Sequence, residues 1–421
     1  MSRVYGLLCN ALPVCAIALA VALAPGGAIA KKRQGAYAPL YSFCSQPGCT
    51  DGAFPDAGLV MDGSGNLYGT TQGGQGGSIF KLAPDGTETV LYTFCSQANC
   101  ADGATSRGGL IVDGAGNLYG TTLSGGAGQG GTVFKLAPDG TYTVLYSFCS
   151  QQNCSDGASP YSGLIMDGSG NLYGTTTGGG PHRYAGTVFK IAPDGTETVL
   201  YSFCSQVNCT DGGYPQAGLI MDNSGNLYGT TGGGGNSTGA GTVFELTPDG
   251  TENVLYSFCS QNNCADGSNP QASLVMDNSG NLYGTTGGGG LGHCQGGCGT
   301  VFEVTPSGSE SVLYSFCSLV ACTDGAFPYL NNNLVMDSTG NLFGMTTSYG
   351  KCRFGSSTTC GAVFELARNG GETVLYNFCA KRHCTDGFLP YGGLVMDSSG
   401  SLYGTASQGG DYYSGVVFKI R

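Results

Sequence analysis

The sequence predicts an all-β fold: a seven-bladed β-propeller, four antiparallel strands per blade, with the N-terminal strand closing the last blade. Three observations predict it. A Cys-x4-Cys pair recurs seven times, as Cys44 with Cys49, Cys95 with Cys100, Cys149 with Cys154, Cys204 with Cys209, Cys259 with Cys264, Cys317 with Cys322 and Cys379 with Cys384. Successive first cysteines are 51 to 62 residues apart. A period in that range marks propellers and solenoids. Each copy holds four short runs of Val, Leu, Ile, Tyr and Phe, separated by turn residues. The ends also complement each other. The repeats open on a lone fourth-type strand, residues 39–43, and close on a third-type strand, Val416–Ile420, with no fourth. In a ring these pieces complete one blade, whereas an open solenoid needs atypical capping repeats.

Residues 1–30 precede the repeats and read as a cleaved signal peptide. Arg3 supplies the positive start, residues 7–24 are mostly apolar, and Ala28-Ile29-Ala30 is a small-residue cleavage site. The alternative is a membrane anchor; the cleavage site followed by Lys31, Lys32 and Arg33 favours removal. Residues 31–37 form a short linker, and residues 38–421 form a single propeller. No further apolar run of about 20 residues exists, so no transmembrane span is expected in the mature chain. The protein is therefore expected to be secreted or periplasmic, and a monomer. Beyond the signal, 18 of the 20 cysteines remain, an even number that in an exported chain predicts disulfides. Glycine, at 77 of 421 residues, and a charged fraction of only 10% suit strands joined by tight turns. A net charge of −12 disfavours phosphate backbones, so nucleic acid is not an expected partner.

The third copy shows the strands in order. Residues 163–166 make the first, and Asp167-Gly168-Ser169-Gly170 turns the chain. Residues 171–176 make the second, a glycine-rich loop follows, and residues 187–192 make the third. Pro193-Asp194-Gly195 is a hairpin turn, because Asp-Gly tolerates the positive φ required. Residues 196–203 make the fourth. The core is expected between neighbouring blades.

The units VFKLAPDGTETVLYSF and GLIMDGSGNLYGTT resemble the GloVer tandem repeat of Gloeobacter and Verrucomicrobia-type proteins, across residues 38–421. The resemblance implies an exported repeat protein, often tethered through a C-terminal anchor, and brings no catalytic residues with it. This chain departs from the pattern by ending on a strand at Arg421 without a sorting signal, and by inserting a Cys-x4-Cys loop after each fourth strand.

Antiparallel strands place the cysteine loops and the glycine loops on one face and the Asp-Gly turns on the other. Variable loops on a regular scaffold are where binding is expected. The distinctive residues are His182, Arg183 and Tyr184 in the third copy and His293 with the pair Cys294 and Cys298 in the fifth. The sixth has Tyr349, Lys351, Arg353 and Phe354 with the pair Cys352 and Cys360. The seventh has Asp411, Tyr412 and Tyr413, and the last cysteine loop holds Lys381, Arg382 and His383. The loops of copies five to seven, neighbours in the ring, make a cationic, aromatic candidate surface. The opposing reading is unselected loop divergence.

Each Cys-x4-Cys pair could be a local disulfide or half a zinc site. Seven equivalent pairs in seven blades do not meet in fours, so all are read as disulfides, together with Cys294 to Cys298 and Cys352 to Cys360. The aspartates that end the first strands, Asp62 to Asp397, are read as bonding their own turn amides rather than ringing an axial ion. Tyr68 and its equivalents are read as inter-blade packing rather than sugar platforms. Three histidines fall in no catalytic motif, and the inner strands are nearly identical, which weighs against an asymmetric axial site. The expected function is a non-catalytic binding or adhesion scaffold for a glycan, envelope or protein ligand, without cofactor or metal. The alternative is a hydrolase or lyase among the loops of copies five to seven.

Overall fold

In the computed structural model, the turn between the first and second strands of each blade is built on an aspartate. The structure describes residues 36–73, 76–182, 184–328, 333–353 and 360–421, all within the unit Gln34–Arg421. The proposed signal peptide, and Arg183 and Phe354, lie outside the described residues. In the first blade the Oδ1 of Asp62 accepts the N–H groups of Ser64 and Asn66, each at 2.9 Å. Its Oδ2 accepts from Asn66 Nδ2 at 2.7 Å and Tyr68 OH at 3.0 Å. The carboxylate is thus spent on its own turn, and Asp113, Asp167 and Asp222 repeat the pattern.

The turn joins an inner strand, Val60–Met61, to a second, Leu67–Thr71; Ser78–Leu82 and Glu88–Thr93 complete the antiparallel sheet. Seven such sheets recur, and the fifth gains the short strand Ser268–Pro270. The inner strands are two residues long, shorter than expected from sequence. Ahead of them the chain leaves its own sheet and crowds its neighbour: a Cβ on Gly163 would stand 2.8 Å from the Gly109 carbonyl oxygen. Gly69 of the second strand is needed for room, since a Cβ there would lie 2.7 Å from Cζ of Phe80.

The seventh sheet proves the closure. Tyr37–Ser42 pairs antiparallel with Val416–Ile420, as the fourth strand of the blade begun by Val395–Met396. It carries a register shift between Pro39 and Tyr41, matching the bulge that marks the pairing of third and fourth strands elsewhere. The strand begins at Tyr37, one residue inside the segment expected to be linker. The Tyr37 ring stacks on Tyr376 at 4.0 Å and its hydroxyl donates to the Asp386 carbonyl at 2.5 Å, which fixes that residue in the blade.

Seven hydrophobic clusters form the core. One of them joins Ile79 and Phe94 of one blade to Leu110, Leu118, Phe134 and Leu136 of the next, with Tyr68 packed against them. Phe94 meets Phe134 edge to face at 5.3 Å, and the contact recurs around the ring. The Tyr68 series is accordingly packing material, its hydroxyl held by the hairpin aspartate.

A second aspartate anchors each cysteine loop. Asp102 is fully buried, and its Oδ2 accepts from Tyr92 OH, Ser96 N–H and Ser96 Oγ at 2.8, 2.9 and 2.7 Å. Its Oδ1 accepts from Gln97 N–H at 3.2 Å. Removing a buried acceptor strands all of its donors, so Asp102→Ala is expected to cost about 3 kcal/mol in urea unfolding. Asp113→Ala, at an exposed hairpin, is expected to cost about 1 kcal/mol. Equal losses would contradict the anchoring role.

Candidate functional site

The loop face is assembled from three segments per blade. The first is the cysteine loop: a single 3-10 turn, such as Ala98–Cys100, closed by the Cys95–Cys100 disulfide. The same local bridge is formed in every other copy, as Cys44–Cys49, Cys149–Cys154, Cys204–Cys209, Cys259–Cys264, Cys317–Cys322 and Cys379–Cys384. The two additional pairs expected from sequence, Cys294–Cys298 and Cys352–Cys360, are bridged as well. Both ends of each repeated loop hold a positive φ, 64° at Cys44 and 54° at Cys49, 57° at Cys259 and 52° at Cys264, 55° at Cys379 and 52° at Cys384. That left-handed geometry is rare outside glycine, and here the covalent link fixes it. The sulfurs of Cys294, Cys317 and Cys322 lie within 4.8 Å of one another, because two bridges are neighbours there. The second segment is the glycine loop, which hangs on the first: Gly126 N–H donates to the Cys100 carbonyl at 2.9 Å. The same bond recurs from Gly180 to Cys154, from Gly235 to Cys209, from Gly290 to Cys264 and from Gly410 to Cys384.

The third segment leads inward from the cysteine loop to the axis. Its second residue holds a positive φ in every blade, in side chains as large as Phe54 at 57° and Tyr214 at 57°. Such geometry is strained outside glycine and persists only where neighbours fix it. Here the amide donates to the preceding blade's glycine loop: Thr105 to Gly76 at 2.9 Å, Ser159 to Gly130 at 2.7 Å and Tyr214 to Ala185 at 2.7 Å. The segment is clamped across the blade boundary.

The residues singled out from sequence fall on this face but remain dispersed. His182, His293 and His383 are exposed in three different loops; Tyr184 is exposed in the loop of His182, and Tyr412 and Tyr413 together in the seventh copy's glycine loop. Tyr349 packs on Phe327 of the preceding turn at 6.1 Å. Lys351 donates its N–H to Asn377 Oδ1 at 2.8 Å, and Arg353 is exposed nearby. Lys381 sits 5.7 Å above the Tyr37 ring, beside the exposed Arg382. Among the described residues, no hydrogen bond or ring contact joins His182, His293, His383 and Tyr412 to one another.

A different set converges at the axis. One position of the inward segment, two residues before the axial Gly-Leu step, is Asp56, Arg107, Tyr161, Gln216, Gln271 and Tyr391 in successive described copies. Below it, a cavity of about 340 Å³ is lined by the inner-strand starts of all seven blades, among them Gly58, Gly109, Gly163 and Gly393. Arg107 donates to the Tyr161 hydroxyl, with its guanidinium 5.2 Å from that ring's centre. Gln72 donates to Asp56 Oδ2 at 2.6 Å. Burial pushes the Asp56 carboxyl up to about 6, against the pull of the Arg107 guanidinium. Burial also raises the Tyr391 phenol, aided by the charges of Asp56 and Tyr161. Four side chains from blades seven, one, two and three thus share one electrostatic environment. Inspection of the copies for single-residue variation, rather than for loop length, would have found them.

Solved structures share this ring. A virginiamycin B lyase from Staphylococcus aureus aligns over 92% of this chain and 98% of its own, at 12% identity and a TM-score of 0.57. A fungal alcohol oxidase of the AA5 family, in complex with copper, aligns over 92% of this chain and 76% of its own, at 14% identity and a TM-score of 0.54. These likenesses establish the propeller fold alone. No curated protein sequence matches the chain. The model of the Gloeobacter/Verrucomicrobia repeat matches residues 26–219 and 266–421. With most of its length accounted for by that repeat, the chain belongs to the Gloeobacter/Verrucomicrobia repeat family.

Proposed function

We propose that this protein is an exported, non-catalytic binding scaffold whose loop face takes a glycan. One observation carries the reading. Every exposed large apolar side chain among the described residues, including Phe54, Tyr184, Tyr214, Leu291, Val320 and Tyr412, belongs to a cysteine loop, a glycine loop or an inward segment. None belongs to the hairpin face. Apolar groups gathered on one side of a ring mark an interaction surface. Aromatic side chains that stand partly in water, over a rigid frame with many hydroxyl and amide neighbours, suit the alternating apolar faces and hydroxyl edges of sugars. Nine disulfides fit the oxidising compartment that export would supply. No helix among the described residues is long and apolar enough to cross a membrane.

The test is a glycan array probed with the oxidised protein, followed by calorimetry on any hit. Binding of at least one polysaccharide, without its consumption, is expected. Phe54→Ala and Tyr412→Ala should each weaken binding by about tenfold, if each ring supplies one stacking contact. Silence across the array would refute the glycan reading, and release of shortened product would move the protein to the hydrolases or lyases.

A further inference from the structure

The repeat provides an internal control that an ordinary fold lacks. Among the described residues six geometrically equivalent positions approach the axis, so whatever the scaffold itself requires there should be the same in each of those blades. The glycine-leucine step below is nearly so; the position above it is not. In blades four and five it is Gln216 and Gln271, and Gln271 is satisfied locally by Asn269 at 3.1 Å. In blades one and two it is a carboxyl and a guanidinium, flanked by phenols from blades three and seven. The scaffold does not demand a half-buried charge at this position, since most blades close without one. A half-buried carboxyl at this one position is a departure from the repeat, held by Gln72 at 2.6 Å.

Neighbouring positions are fitted to the same purpose. The residue after the second strand is Leu123 in blade two and Gly232 in blade four, but Gln72 in blade one and Ser407 in blade seven. Of those two, Gln72 donates to Asp56 Oδ2 at 2.6 Å, while Ser407 Oγ donates to the Leu389 carbonyl at 3.1 Å. The carboxyl is therefore oriented by one further departure from the repeat, Gln72. Phe54, two residues upstream, is 43% exposed and clamped by its amide bond to the Ser414 carbonyl at 2.8 Å. A fixed aromatic face thus stands at the rim.

We infer that the axial mouth formed by Asp56, Arg107, Tyr161 and Tyr391 is a single site for a neutral pyranose ring presenting two adjacent hydroxyls. This rests on the glycan reading of the loop face and deepens it. A vicinal diol offers a donor and an acceptor side by side; Asp56 offers an acceptor and Arg107 a donor, and the two charges feel each other across the mouth. The pair is neutral as a unit at pH 7, which favours an uncharged ligand over a phosphate or a uronate. Phenols supply both hydroxyl partners and ring faces.

The experiment is calorimetric titration of the full oxidised chain with methyl α-pyranosides of the gluco, galacto and manno series, at pH 7.5 and pH 5. One molecule per chain is expected, for at least one series. Because Asp56 accepts most strongly as the carboxylate, affinity should fall about tenfold between pH 7.5 and pH 5. Asp56→Asn should bind about tenfold more weakly at pH 7.5 and lose the pH dependence. Tyr161→Phe should weaken binding with no change in melting temperature, and Asp139→Asn, in an exposed hairpin turn on the opposite face, should leave pyranoside binding intact. Affinity that rises on acidification, several equivalent sites, or binding unchanged in both Asp56→Asn and Tyr161→Phe would overturn the inference. If a polysaccharide binds on the array but no pyranoside binds in solution, the axial site fails and the loop-face reading stands. If neither binds, both fail.

Discussion

Raising the pH from 5 to 8 is expected to lower the unfolding free energy by about 5 kcal/mol, the summed effect of five carboxyls at about 1 kcal/mol each. Five glutamates open the outer strands of their blades: Glu88, Glu197, Glu252, Glu310 and Glu372. Burial pushes each carboxyl up to about 7, and the buried aspartate of the neighbouring cysteine loop adds to the effect. For Glu88 that neighbour is Asp51, with Tyr41 on the same side; for Glu197 it is Asp156, with Tyr146. Glu88 Oε1, Glu197 Oε1 and Glu372 Oε1 are buried without a hydrogen-bond partner.

Blades two and seven hold a tyrosine at this position instead. Tyr142 OH donates to the Asp102 carbonyl at 2.6 Å, and Tyr37 OH donates to that of Asp386. The site wants a proton donor, which a glutamate supplies only when protonated. A carboxyl whose folded value is raised adds stability that is complete below its unfolded value and is lost as pH rises through the folded one, here near 7. After a two-thirds discount for the water each group still meets, the loss is about 1 kcal/mol per glutamate. The hairpin aspartates, and Asp51 and Asp102 of the cysteine loops, act oppositely. Although burial alone would raise Asp62 and Asp102, their many donors hold them below the usual carboxylate range, so acid removes their contribution. Stability should therefore peak near pH 5. Urea unfolding across pH 4 to 9 reads this directly, and Glu197→Tyr should stabilise the protein at pH 8 and do little at pH 5. A flat profile would refute the account.

Removal of residues 36–43 is expected to abolish cooperative unfolding. Phe43 is fully buried against Phe80 at 5.0 Å, and Tyr37 packs against Tyr376 and Phe418. Losing one buried phenylalanine costs about 3–5 kcal/mol. Losing the strand also exposes the edge of Val416–Ile420 and leaves two core clusters incomplete. A synthetic peptide of residues 36–46, added in trans, should restore part of the lost signal in near-ultraviolet dichroism. A truncated chain that unfolds with the parent's midpoint would show that the ring does not depend on its closing strand.

Much of this architecture was legible from residues alone. The period, the Asp-Gly turns and the complementary end strands defined the ring, because they depend on local chemistry repeated seven times. The short inner strands were not legible, since their limit is set by crowding between blades at Gly109 and Gly163 rather than by propensity. The axial cluster was missed for a related reason. Asp56 and Tyr391 become neighbours only when the ring closes, and the inner strands beside them are uniform enough to suggest that nothing varies there. Loops five to seven drew attention by their length and charge, yet each loop is tied to the cysteine bridge of its own blade.

Each cysteine of the seven repeated loops, from Cys44 with Cys49 to Cys379 with Cys384, finds its partner five residues away. The eighteen cysteines of residues 36–421 allow an enormous number of pairings, and long-range frameworks sort them through slow exchange. Here the right partner is always the nearest along the chain, and closing so short a loop is faster than any encounter between blades. Oxidation can thus run copy by copy as the polypeptide emerges, with the bridges recording only local proximity and carrying no information about the order of the blades. A mispaired ring is avoided by arithmetic rather than by editing.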